Sequence, residues 1–266
     1  MIQLIASDMD GTLLPPYTSQ VSDRAKDLID RLIHNGILFC PASGRQYANL
    51  KMLFDPLGDR IPYICENGAA VILRGEVIAQ APMEQAAAEE LLADINGQDG
   101  YELQVNVVRT CYLTPKTESY LRLMRDQVRN HVTVVNDIFS ITQEPILKIS
   151  VYCEEGITED YLRWIQGKYG QIFQVLQSSA KFIDATAKGI NKGWGMEKLA
   201  DHLAIPTEDI VAIGDHNNDR EILELVGHPV VMKSGLPSLQ KLAEQTIDTV
   251  EDYLAALLTQ VEAGEI

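Results

Sequence analysis

Basic residues are the scarce ingredient of this 266-residue chain. Twenty-two Lys and Arg stand against 38 Asp and Glu, a formal net charge of −16, and the positive residues are scattered. A surface of that sign repels nucleic acid and anionic membrane, so neither is expected as a partner. Cysteine is sparse too. Cys40, Cys65, Cys111 and Cys153 lie far apart, form no CxxC pair and have no histidine at metal-ligand spacing. That pattern argues against a zinc site and suits structural thiols in a reducing, cytoplasmic setting. No stretch approaches the roughly 20 apolar residues of a membrane span. The N-terminus lacks a basic segment leading into an apolar one, so no signal peptide is expected. Internal repeats and low-complexity linkers are absent, and nothing in the sequence indicates an oligomeric state.

What is present fits a globular protein of two compact units, with 46% hydrophobic and 23% charged residues. The first third alternates strand and helix. An apolar run at 2–6 is followed by helical spacing of Val21, Ala25, Leu28, Ile29, Leu32 and Ile33, with Gly36 at the C-cap position. Strands are expected at 37–40 and 62–65, then a hairpin pairing 70–73 with 77–80. From about Met83 the pattern changes to a mixture of helices (84–95, 117–129, 158–168) and strands (102–108, 111–114, 132–135, 146–152, 172–176, 181–185). Alternation resumes at Gly189, with helices to Leu203, at 220–226, 237–244 and 251–261, and strands at 209–213 and 229–232. This organisation predicts an α/β fold: a doubly wound, Rossmann-like core from 1–82 and 187–266, interrupted by an α+β module at 83–186.

The most informative stretch is Ser7-Asp8-Met9-Asp10-Gly11-Thr12-Leu13-Leu14, directly after the opening strand. It places two carboxylates, two residues apart, where doubly wound folds build their ligand crevices. A carboxylate so placed can attack phosphorus and become an acyl phosphate. Taken alone, the motif also reads as an acidic turn, since Asp-Gly is common turn chemistry. Two more loops follow predicted strands, Ser43-Gly44-Arg45 and Gly214-Asp215-His216-Asn217-Asn218-Asp219, and parallel strands bring such loops to one edge. Lys192 opens the helix that re-enters the core, where an ammonium adds a point charge for phosphate. An acidic protein that binds a phosphorylated substrate must reverse its field locally. A metal ion with a few placed basic groups would do so.

With these motifs in this order, the chain resembles the Cof-type branch (subfamily IIB, C2-type cap) of the haloacid dehalogenase superfamily of phosphohydrolases. The likeness spans nearly the whole length: DMDGTLL at 8–14, ASGR at 42–45, ENGA at 66–69, the Lys192 segment and GDHNND at 214–219. It implies an Mg2+-dependent phosphatase, in which Asp8 is the nucleophile and Asp10 the general acid/base. Ser43 would donate to the substrate phosphate, with Gly44 and Arg45 beside it, and Lys192 would neutralise developing charge; Arg45 reads equally as a substrate contact or as a partner in a salt bridge. Asp8, the backbone carbonyl of Asp10, Asp215 and, through water or indirectly, Asp219 would surround the metal, with Asn218 at the edge of the site. The inserted module would be a cap that selects the substrate. Two departures stand out. His216 replaces a usually small residue, and Val231-Met232-Lys233-Ser234-Gly235 lacks the Asn-Ala pair usual after Met. The implied substrate is a small phosphorylated metabolite, a sugar phosphate first, with pyridoxal phosphate or FMN open. A phosphomutase of the same branch and a non-catalytic phosphometabolite-binding regulator are the alternatives. Glu66-Asn67-Gly68 reads as a structural turn near the site.

Overall fold

Strand β1 (Leu4–Ser7) is fully buried and begins a chain that alternates as its sequence predicts. The structure, a computed structural model, describes residues 1–14, 20–141 and 144–265. Helix α1 (Asp23–His34) starts where Ser22 caps the Ala25 amide and buries Ala25, Leu28, Ile29 and Leu32 along one stripe. Next come β2 (Leu38–Pro41), α2 (Tyr47–Leu53), β3 (Tyr63–Cys65), β4 (Ala70–Leu73) and β5 (Glu76–Gln80). The chain divides into two compact units, Met1–Ala79 with Asn191–Ile266, and Gln80–Ile190.

The inserted unit contains α3 (Gln85–Asn96), β6 (Tyr101–Asn106), β7 (Cys111–Leu113), α4 (Glu118–Arg122), β8 (Val132–Val134), β9 (Lys148–Cys153), α5 (Glu159–Tyr169), β10 (Phe173–Ser179) and β11 (Phe182–Ala187). Its strands form a six-stranded sheet, order β10-β11-β9-β6-β7-β8, antiparallel except for β7 with β8. The side-chain period of two sorts the sheet into contrasting faces. Leu103, Val105, Ile149, Val151, Ile183 and Ala185 join α3 and α5 in an apolar core. The alternate positions Gln104, Ser150 and Asp184 stand opposite one another in register, as do Asn106, Lys148 and Thr186. Ser150 donates to Asp184 (2.6 Å) and the Gln104 amide donates to Asn106 (2.5 Å). The helix expected over 117–129 is α-helical only to Arg122, because Leu123–Gln127 winds as a π-turn.

The chain then completes the first unit with α6 (Lys192–Leu203), β12 (Ile210–Gly214), α7 (Arg220–Leu225), β13 (His228–Met232), α8 (Pro237–Gln240), β14 (Gln245–Ile247) and α9 (Val250–Glu262). The core sheet runs β14-β13-β12-β1-β2, with every pairing parallel. Leu4, Ala6, Ala212 and Val231 pack with Met196 and Leu199 of α6, Ile222 and Leu223 of α7 and Leu239 of α8. Apart from that cluster, α1 packs against β2 and α9 against α1. The fold is α/β, a doubly wound parallel core with an inserted α+β module. The helix expected over 237–244 stops at Gln240, and β14 follows unannounced. Of its three residues only Ile247 is buried, too little to set a period. Among the described residues no helix is long and apolar enough to cross a membrane.

Candidate active site

β12, β1 and β2 are adjacent and parallel, so their C-terminal ends lie side by side, and strand order reverses at β1. Open α/β sheets bind ligands at such a point. β1 delivers Asp8 and Asp10, β2 delivers Ser43, Gly44 and Arg45, and β12 delivers Asp215 to Asp219. Carboxylate oxygens of Asp8, Asp215 and Asp219 all lie within 4.8 Å of one another. Lys192, wholly buried at the first turn of α6, donates to Asp8 and to Asp219, the latter at 2.6 Å.

The fold fixes this lysine from two sides. Asn191 caps α6 by accepting from the Trp194 amide (2.9 Å). Gly68 presses on the same turn with φ 101°, where a Cβ would stand 2.0 Å from the Asn191 carbonyl oxygen. The 66–68 turn therefore sets where Lys192 begins. Asn67 of that turn lies against Gly44, at 3.0 Å from where a Cβ would be.

Asp215 is held by Thr12, whose hydroxyl donates to it at 2.8 Å, while its carbonyl accepts from the Leu236 amide (3.0 Å). Leu236 directly follows the segment lacking the Asn-Ala pair, so Asp215 is still supported by backbone at the end of that stretch. Gly11, at φ 90°, makes room for the Asp215 carboxylate, because a Cβ there would lie 2.7 Å from Oδ2. Asp219 has both oxygens engaged. One accepts from Lys192 and the other from the amides of Asp215 (3.0 Å) and His216 (3.1 Å). It braces the loop, whereas Asp8 and Asp215 each have one carboxylate oxygen engaged, by Lys192 and by Thr12. The His216 side chain is exposed and Asn218 half-buried on the short 3₁₀ turn Asn217–Asp219.

Ser43 is buried, and its hydroxyl accepts from the Arg45 amide at 3.2 Å. The Arg45 guanidinium clasps Asp10 with two hydrogen bonds, 2.8 and 2.5 Å. A third runs to Asn49 of α2, at 2.9 Å. Sequence reasoning assigned no role to Thr12 or Asn49. Thr12 stands inside a motif already singled out, and Asn49 is a polar residue on a buried helix face four residues beyond Arg45.

Burial is the largest influence on Asp8. Lys192 opposes it and Asp219 adds to it, and the net effect lifts the Asp8 carboxyl to about 7. Burial also disfavours the Lys192 ammonium, yet Asp219 and Asp8 outweigh it, so the lysine pKa is raised and the charge persists. One ammonium facing three carboxylates leaves a negative excess, and all the donors are hard oxygens. That set fits a small divalent cation such as Mg2+ rather than a thiophilic metal. It is the only such group of metal-ligating side chains among the described residues, where the four cysteines are free and buried. A groove of about 460 Å³ beside β14 and α9, lined by His228, Asp248 and Tyr253 among others, shares no residue with it.

Fold and cluster together define an α/β protein with a buried carboxylate–lysine cluster at the C-terminal edge of its parallel sheet. Residues 5–256 match the sequence profile of the haloacid dehalogenase-like hydrolases, and the chain belongs to that family. Its relatives are named phosphatases. The 5-amino-6-(5-phospho-D-ribitylamino)uracil phosphatase YitU of Bacillus subtilis is 24% identical, over 94% of this chain and 93% of its own. The HMP-PP phosphatase of Serratia proteamaculans is 28% identical, over 92% and 89%. Among solved structures, the HAD subclass IIB sugar phosphatase BT4131 superposes with a TM-score of 0.78 at 20% identity, covering 99% of this chain and all of the other.

Proposed function

We propose that this protein is an Mg2+-dependent phosphatase that hydrolyses small phosphomonoesters through a phosphoryl group carried on Asp8. The observation that carries the reading is the buried Lys192 bridging Asp8 and Asp219 at the tip of β1. A binding protein gains nothing from a desolvated carboxylate whose pKa is lifted to about 7, whereas perturbed groups gather where chemistry is done.

In this reading an Asp8 oxygen attacks phosphorus while the bond to the leaving oxygen breaks, and Asp10 gives that oxygen a proton. Water then attacks the acyl phosphate, Asp10 takes back a proton, and phosphate leaves with Asp8 regenerated. Lys192 sits against the nucleophile, where it offsets charge on the transferring oxygens. Ser43 and the backbone around Gly44 are assigned to the phosphate. Asp8, Asp215 and the Asp10 backbone carbonyl would hold Mg2+, with Asp219 bracing them. The bound ion would screen carboxylate from phosphate, two charges that at ~4 Å interact by about 4 kcal/mol at an effective dielectric of 20. The inserted module is assigned the choice of substrate. Its polar sheet face, with Gln104, Asn106, Lys148, Ser150 and Thr186, offers the amide and hydroxyl chemistry suited to a sugar phosphate.

The test is phosphate release from a panel of phosphorylated sugars, nucleotides and cofactors, with Mg2+, with EDTA, and with Asp8→Asn. Release that needs metal and vanishes in the variant is expected. An isomeric sugar phosphate without free phosphate would make the protein a mutase. Full turnover by Asp8→Asn would end the covalent mechanism.

A further inference from the structure

Asp10 is the exposed member of its ion pair. Its side chain is 59% accessible, against 27% for Arg45. Among the described residues its carboxylate has no other hydrogen-bond donor. An unsupported carboxylate at a strand tip exchanges rotamers on the ps–ns scale. Arg45 is rooted differently. It stands between β2 and α2, and its remaining nitrogen is tied to Asn49, which is 2% exposed. Nε, Nη1 and Nη2 each donate one bond, so the guanidinium plane is set from the α2 side and the Asp10 carboxylate is aligned to it.

We propose that Arg45 and Asn49 form a positioning relay that aims the Asp10 carboxylate, and that Arg45 serves proton transfer rather than substrate affinity. This rests on the phosphatase reading above and adds to it. A bidentate fork is the feature that matters, because it defines the orientation of a carboxylate plane as a single ammonium cannot. Displacing a reacting group by about 1 Å costs on the order of 10²-fold in rate. The loss should therefore follow how much the leaving oxygen needs a proton. An alkoxide needs one; a nitrophenolate hardly does.

The experiment compares Arg45→Ala, Arg45→Lys and Asn49→Ala with the parent protein on two esters. One is p-nitrophenyl phosphate; the other is the alkyl phosphate ranked highest in the panel. For Arg45→Ala, kcat/KM on the alkyl ester, which reports the steps up to departure of the leaving group, is expected to fall about 30- to 100-fold. On the aryl ester the fall in kcat/KM is expected to stay within about 3-fold, with no rise in KM on either ester. Asn49→Ala should move the same way by less, Arg45→Lys should recover little, and free guanidinium below denaturing concentration should restore part of the Arg45→Ala loss. A rise in KM on both esters with kcat kept would make Arg45 a substrate ligand and overturn the relay. Equal losses of kcat/KM on both esters, unmoved by guanidinium, would reduce Arg45 to structural support and overturn it too. If the parent protein turns over neither ester, the phosphatase reading fails and the relay with it. Turnover abolished by Asp8→Asn but unaltered by Arg45→Ala refutes the relay alone.

Discussion

Replacing Asp8, the proposed nucleophile, should make the metal-free protein more stable, and more so at alkaline than at acidic pH. Folding raises the Asp8 carboxyl from 3.8 to about 7, with burial the main cause. The folded state thus holds a proton that the unfolded chain releases above about pH 4. A group raised on folding adds nothing to the pH dependence below the unfolded value. Between about pH 4 and 7 it lowers stability as pH rises, and above 7 the loss is constant. At about 1.36 kcal/mol per pH unit the full effect is about 4 kcal/mol, and at pH 5 it is less than half of that. Asp8→Asn removes this effect, and the opposing pull of Lys192 is already contained in the net shift. The expected gain at pH 8 is therefore at most about 4 kcal/mol, falling to less than half of that at pH 5. At about 2–4 °C per kcal/mol, the melting temperature in EDTA should rise at pH 8 by at most about 16 °C. Calorimetry of both proteins at the two pH values measures it. A variant less stable than the parent at pH 8, or an equal gain at both pH values, would refute the reasoning.

Two further outcomes follow from the same geometry. Lys192→Ala leaves Asp8 and Asp219 buried without their shared cation and should lower stability by about 3–5 kcal/mol as well as abolishing turnover, read by calorimetry and phosphate release. Gly68→Ala should cost at least 1–3 kcal/mol, because φ 101° and a 2.0 Å approach to the Asn191 carbonyl oxygen both oppose a Cβ. Its turnover should fall with it, since that turn locates Lys192.

The core and the chemistry-bearing loops were legible in the sequence because each loop follows a strand buried on both faces. Leu4 to Ser7 and Ile210 to Gly214 read as apolar runs, and runs of that kind belong to covered parallel sheets. Roles within the acidic loop were less legible. Asp215 and Asp219 look alike as letters, and only the fold shows that Asp219 is spent on Lys192 and two amides while Asp215 leans on Thr12. Asn49 gave no sign because a buried amide is indistinguishable in sequence from an exposed one. β14 and the π-turn after Arg122 escaped for a local reason, since neither has enough buried positions to establish a period.

The sheet places its first strand beside one of its last, and this orders events on the ribosome. β1 pairs with β12, so its partner emerges about 206 residues after it. At about 5–20 residues per second, the strand bearing Asp8 waits about 10–40 s for that neighbour. The inserted module, continuous in sequence, can collapse in that interval, and its compaction shortens the loop that the two halves of the core must close. Asp8 and Lys192 are 184 positions apart. No amino-terminal fragment that stops within the module contains the cation that completes the cluster. A truncated product would therefore carry the carboxylates without the means to use them.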